Sequence, residues 1–423
     1  MGLTGIWCAM LIKFIRANKE IIFLFAIGLI LRVSTSLSQV YLGLHSIPSQ
    51  FPVNAWGDFY AIYAGWLHLV SQGLIPYRDF YTYTYTPLFL YALYPFYLVG
   101  GAHAASIPII VSDAATSSVV YLIVKRLASG RVPLVAGLMY AVSPFALYYE
   151  GYLWMSSQPM TLFMLLAIYL LWSNKPEYSA FSMALAVMFK QEALFILPVY
   201  GAWYAMRFRR SMRRGALIFL LTLFAVSLPF LIASPYGYII SLNYLKSTLP
   251  TSSACTNQIV NSITVAMCGG ATVGSSGFAL PISTPVTIVP QTNVFPTEYI
   301  LNRMSELLGP LLFLVMLPAM LVSRKALNSL ELFSIYSAVG FLTLYSLLGH
   351  PVFRYYYIPI YALLLVSTTN RRTLLVSTIA PVVGLFILPS GPIQNLLPLV
   401  TLLVILAVQG EPRKTIDTTT NVG

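Results

Sequence analysis

Between residues 21 and 408 the chain returns repeatedly to apolar stretches of membrane-crossing length, separated by polar connections that carry most of its charge. A helix rising about 1.5 Å per residue needs roughly 20 residues to cover a hydrocarbon core about 30 Å thick. Residues 21–41, 104–124 and 215–233 meet that length, and shorter apolar segments fill much of the rest. Only 9% of the 423 residues are charged and 58% are hydrophobic, whereas soluble domains carry about a quarter charged residues. A water-soluble fold could not bury that much apolar surface. The expectation is an all-α polytopic membrane protein with a bundle of about 11–13 transmembrane helices. Residues 1–410 form one membrane-embedded domain, and 411–423 form a polar tail.

The net charge of +12 comes in short clusters between apolar segments: Lys125-Arg126 with Arg131, Arg207 to Arg214, Arg324-Lys325 and Arg371-Arg372. That placement is the positive-inside pattern of a membrane protein and not a nucleic-acid surface. Lys13, Arg16 and Lys19 precede a full-length apolar segment that has no small-residue cleavage site, so segment one reads as a retained helix. The expectation is a multi-pass plasma-membrane protein with a cytoplasmic N-terminus.

The first outer loop then spans 43–86, and its interleaved Trp and Tyr suit interfacial helices. Residues 87–124 read as a helix to 101, a Gly100-Gly101 break and a helix from 104, and charge alternation leaves open whether they cross once or twice. The segment 178–206 is flanked by positives and should cross an even number of times, turning at Lys190-Gln191-Glu192. The longest loop, 234–305, shows no helical apolar period. It holds Cys255 and Cys268, whose compartment allows a disulfide and whose geometry the sequence does not give.

This topology gathers the unusual polar residues on one side: Asp58, Arg78 and Asp79, then Glu150 and Gln158, then Lys190 to Glu192, and finally His350 with Arg354. Cations there run against the general bias, and a bound anion would explain them. Asp58 can accept a proton from a hydroxyl nucleophile, a role worth on the order of 10²–10⁴ in rate. It can equally be a solvated carboxylate capping an interfacial helix. Asp79 beside Arg78 is either a surface ion pair or a group that orients Asp58 or holds a metal. Asp113 lies inside an apolar segment, where a charge costs roughly 2.5–3.5 kcal/mol and requires a partner or a polar cavity. Lys190 and Arg354 suit a phosphate, with snorkelling to headgroups as the alternative. No Gly-rich phosphate loop, His-Glu-x-x-His or Gly-x-Ser-x-Gly occurs.

One family shows this order of motifs. An Asp in the first outer loop, then Pro76-Tyr-Arg-Asp-Phe80, then Tyr85-Thr-Pro-Leu88 opening the next helix, resembles the type C glycosyltransferases that use polyprenyl- or dolichyl-phosphate sugars, especially their mannosyltransferase-like branch. Ser112-Asp113, Ser143-Pro144, Lys190-Gln191 before Leu197-Pro198, and His350 to Arg354-Tyr355 follow in that family's order. Relatives often carry an acid near Trp154 to Met160, where this chain has Ser156-Ser157-Gln158-Pro159.

The resemblance implies inverting transfer of a hexose, in that branch mannose, from a lipid monophosphate to a glycan, lipid or protein acceptor. Asp58 would be the base, supported by Arg78 and Asp79. Lys190, Gln191, His350, Arg354 and Tyr355 would bind the donor phosphate. A divalent metal is allowed but not demanded. The rival readings are a transporter or lipid-linked sugar flippase and a noncatalytic subunit of a glycosylation complex.

Overall fold

The computed structural model describes Lys13 and residues 16–42, 59–80, 83, 85–243, 256–260, 263–268, 271–274, 330, 334, 337–338, 354–368, 370–386, 400–401 and 404. Asp58, His350 and Cys255 lie outside the described residues, as do the side chains of Cys268 and Arg354.

Helix α1 (Lys19–Leu42) is followed by a π-turn at Phe59–Tyr63 and by α2 (Ala64–Ser71). Next come α3 (Pro87–Ala105), α4 (Ile107–Leu127) and α5 (Val132–Ala141). A short helix at Pro144–Ala146 runs into a second π-turn, Leu147–Tyr152, before α6 (Ser157–Trp172). Helix α7 (Pro176–Phe189) ends in a 3-10 turn, Gln191–Ile196, which leads into α8 (Leu197–Arg207). Then come α9 (Met212–Ala233) and α10 (Pro235–Asn243). A 3-10 turn at Arg354–Tyr357 opens α11 (Ile358–Val366), and α12 spans Arg371–Phe386.

Proline supplies the punctuation. Helices α3, α4, α5, α7, α8 and α11 each carry one at their first or second position, where the missing N–H has no intrahelical partner to lose and the fixed φ is already helical. Within α3 the expected break falls at Gly100-Gly101, where Gly101 adopts φ +66°, a conformation that side chains resist. Lys190 to Glu192 turns the chain between α7 and α8 as the flanking charges predict.

Among the described residues, five helical stretches are long and apolar enough to cross a membrane: Lys19–Val40, Pro87–Ala105, Ile107–Leu127, Val132–Tyr152 and Met212–Ala233. They are those of a helical polytopic membrane protein. Helix α4 is the axis of the bundle, packed by α1, α5 and α6. Helix α9 instead exposes Leu217, Leu220, Leu221, Phe224 and Ile232, a surface that only lipid would solvate well.

The long loop differs from expectation. It begins with helix α10, where Ser234 Oγ accepts the Gly237 N–H at 3.3 Å and Pro235 takes the first helical position. Ser-Pro is an N-terminus signature that the missing apolar period concealed. Farther on lie three antiparallel strands, β1 (Thr256–Val260), β2 (Ile263–Cys268) and β3 (Ala271–Gly274). Their register pairs Thr256 with Met267 and Val265 with Gly274. This small sheet is the departure from an all-helical description.

Candidate functional site

Close helix packing prepares the site. Gly28 of α1 faces the Ala114 backbone and Ser117 of α4, and Gly137 of α5 faces Leu24, Ser117 and Tyr121. Small residues let helix backbones approach, which is how bundles pack in lipid, where apolar side chains gain nothing by leaving hydrocarbon. Ser117 and Ser118 add hydrogen bonds to the carbonyls of Leu24 (3.1 Å) and Ile21 (2.9 Å).

This packing brings Arg32 of α1 against Asp113 of α4. The Arg32 Nε donates to Asp113 Oδ2 at 2.5 Å, and both side chains are fully buried. Arg32 also donates to the Ala141 and Tyr140 carbonyls. The Tyr140 hydroxyl lies 2.8 Å from Asp113 Oδ1 and 3.2 Å from Gln158 Oε1. The partner that Asp113 requires is thus Arg32.

The π-turn Leu147–Tyr152 lies along α1, with Gly151 against Thr35 and Arg32. Single π-turns inside helical segments are frequent at functional sites. This one carries Glu150 into the interior: the residue is fully buried, neither carboxylate oxygen has a hydrogen-bond partner among the described residues, and its surroundings include the charges of Asp113, Lys190 and Arg32. Gln158 Nε2 is likewise buried without a partner among the described residues. Trp154 follows at φ +55° and donates from Nε1 to Ser36 at 3.0 Å, while its ring meets Phe59 edge-on at 5.0 Å.

At the end of the bundle where α7 stops, Lys190 is fully buried in a ring of tyrosines. Its ammonium lies 4.5 Å from the Tyr356 ring centroid, 5.1 Å from Tyr355 and 5.4 Å from Tyr85. Nζ pairs with Glu192 at 2.8 Å. Cation–π attraction to desolvated rings is worth about 2 kcal/mol in such settings. Three separate segments build this cage: the loop before α3, the α7–α8 turn and the turn before α11. Thr86 Oγ1 ties the first two together by donating to the Val187 carbonyl at 2.8 Å.

A wall of aromatic rings runs on from the cage. Tyr355 lies 6.3 Å from Tyr149, Tyr149 4.9 Å from Phe145, and Phe145 5.1 Å from Tyr361. It ends at a mainly apolar cavity of about 190 Å³, lined in part by Phe145, Ile358, Tyr361, Leu365 and Pro381. A buried cation therefore stands at one end of an aromatic wall and an apolar cavity at the other.

The Pro76–Phe80 loop is braced from within. Asp79 Oδ2 accepts the Ile75 N–H at 2.7 Å, and Asp79 pairs with Arg78 at 2.9 and 3.0 Å. The hydrogen bond from Arg78 holds the Asp79 carboxyl below its ordinary range. Tyr77 has φ +67° and is fully buried among Tyr83, Phe230 and Tyr238. Its hydroxyl donates to the Tyr85 carbonyl at 2.5 Å. Burial pushes the Tyr77 and Tyr83 phenols well above their usual value, so both remain neutral.

Of the sequence-selected residues, Lys190 and Tyr355 meet, with Gln191 next to Lys190. Arg78 and Asp79 pair with each other in their own loop, and Asp113 pairs with Arg32. The sequence reading missed Arg32 and Tyr140, and it named Tyr85 within a motif without a role of its own. A lone arginine in an apolar helix, matched by a lone aspartate in another, was the available signal for the first. Among the described residues, no three His, Cys, Asp or Glu side chains converge as a metal site. No protein-family model matches the chain, and no curated protein matches it at a significant level.

Proposed function

We propose that this protein is an inverting membrane glycosyltransferase that moves a hexose, mannose by preference, from a polyprenyl or dolichyl monophosphate to an acceptor hydroxyl at the extracytoplasmic face. The observation that carries the reading is the Lys190 cage. Tyr85, Lys190 and Tyr355 belong to three of the motifs that carry the resemblance to type C glycosyltransferases, and the two tyrosines flank the buried Lys190 ammonium. The apolar cavity beyond the aromatic wall suits the hydrocarbon of a lipid whose phosphate is held at that cation.

The chemistry runs as follows. The acceptor hydroxyl gives its proton to the Asp58 carboxylate as its oxygen forms a bond to the anomeric carbon. The bond from that carbon to the phosphate oxygen breaks on the opposite side, and the electron pair leaves with the lipid phosphate. Lys190 and Arg354 stabilise the growing negative charge, an interaction stronger in the transition state than in the ground state.

A transporter or flippase reading draws on the intramembrane charges. Asp113 is sealed, however, with both oxygens engaged by Arg32 and Tyr140, which argues for a structural role. The test is to incubate purified protein with polyprenyl-phosphate mannose and candidate acceptors and to detect products by mass spectrometry. Hexose transfer by wild type supports the reading; lipid translocation without transfer replaces it.

A further inference from the structure

Away from Lys190, the opposite end of the bundle carries a second concentration of charge. Helix α8 runs from the Lys190 turn to Arg207, and α9 begins at Met212. The stretch from the end of α8 to the first turn of α9 holds Arg207, Arg209, Arg210, Arg213 and Arg214, all exposed. The described residues provide no ion pair for any of them. Glu177, in the first turn of α7, acts electrostatically on Tyr204 of α8.

Two features mark this turn as built for an anion. First, Arg213 and Arg214 occupy the first turn of α9, which holds no acidic residue. A helix N-terminus already presents a partial positive charge and unsatisfied N–H groups, so cations there repel it unless an anion intervenes. Second, the turn rests on a fixed aromatic base. Trp172 at the end of α6 stacks on Trp203 of α8 at 5.6 Å, and the Arg207 guanidinium lies 4.9 Å from the Trp172 ring and 5.8 Å from Trp203. Paired tryptophans beside arginine suit headgroup depth in a bilayer.

The turn is also held rigid. Main-chain bonds from Phe208 to the Tyr204 carbonyl (2.8 Å), Ser211 to Phe208 (2.9 Å) and Gly215 to Ser211 (2.8 Å) close it. Gly215 leaves room for the Tyr204 hydroxyl, which a Cβ would strike. The arginines are therefore displayed on a fixed arc in place of a flexible basic tail.

We infer that the Arg207–Arg214 turn binds the phosphate headgroup of an anionic membrane lipid in the leaflet opposite the Lys190 cage. The inference does not rest on the glycosyltransferase reading. The test reconstitutes the full-length protein in phosphatidylcholine vesicles containing brominated phosphatidylglycerol or brominated phosphatidylcholine and reads tryptophan quenching. Wild type should show a higher relative association constant for phosphatidylglycerol. Arg210→Gln should lower it by up to about fivefold, given roughly 1 kcal/mol per basic residue near an anionic surface. The variant carrying R209Q, R210Q, R213Q and R214Q should abolish the preference while keeping the wild-type far-ultraviolet circular dichroism. Equal constants for the two lipids in wild type, or a preference unchanged in the fourfold variant, would overturn the inference. Loss of the wild-type preference on adding inorganic phosphate would assign the site to the free anion instead and overturn the lipid assignment.

Discussion

Arg32 and Asp113, 81 residues apart, form a fully buried ion pair with Nε 2.5 Å from Oδ2. The pair pins α1 to α4, and through the Tyr140 hydroxyl it reaches Gln158 on α6. Removing one partner strands a charge in the interior, which costs about 3–5 kcal/mol, whereas replacing both by apolar residues is often neutral. Arg32→Leu should therefore lower the thermal unfolding temperature in detergent far more than the double variant Arg32→Leu/Asp113→Leu. A double variant as unstable as the single one would show that the pair is not the source of the effect.

Asp58→Asn should express and insert normally while losing transfer from lipid-phosphate sugar in isolated membranes. The amide keeps the volume but cannot take the acceptor proton. Turnover at the wild-type rate would remove Asp58 from the base role.

Lys190→Met keeps a long side chain inside the tyrosine cage and removes the charge. Loss of a charged hydrogen-bond partner should weaken donor use by about 10- to 100-fold, read as donor kcat/KM, with little change in acceptor KM. Arg354→Ala should shift donor use in the same direction. Equal loss for donor and acceptor in both variants would mean that these residues support the fold and not the phosphate.

Gly151→Ala places a methyl group against Thr35 Oγ1 and near Arg32 where the π-turn lies on α1. Overpacking of this kind costs about 1–3 kcal/mol. Unfolding measurements should show the loss and its partial recovery in Gly151→Ala/Thr35→Ala. Full stability of the single variant would mean that the turn shifts freely.

The Pro76–Phe80 loop should loosen in acid. Its native carboxyl value is lowered by Arg78, so the stabilisation from Asp79 is complete above the ordinary carboxylate value of 3.8 and fades as pH falls through the lower native value. Hydrogen exchange at the Ile75 amide, which bonds Asp79 Oδ2, should accelerate over that window. In Asp79→Asn the acceleration should vanish, with exchange already fast at neutral pH.

Much of the architecture was legible because membrane insertion is governed by segment length and apolar composition, which are local. The helix at 19–42, the Gly100-Gly101 kink and the Lys190 turn all follow from short stretches of sequence. Helix α10 escaped because its nine residues carry no apolar period and only the Ser-Pro start marks it. Among the site residues, Asp113 stood out as a charge inside an apolar segment and Lys190 as a cation on the side that the charge bias leaves without positives.

The sequence alone determined that this chain resides in a membrane and which scarce charges must be accommodated, because the cost of an ion in hydrocarbon does not depend on the fold. Pairing was decided only in three dimensions. That Asp113 takes Arg32, that Glu150 is turned inward by a π-turn, and that Tyr85, Tyr355 and Tyr356 close around Lys190 all depend on contacts between residues distant in the chain. Periodicity carries no record of which distant side chain lies opposite. Helix packing through Gly28 and Gly137 brings α1, α4 and α5 close enough for the Arg32–Asp113 pair to form.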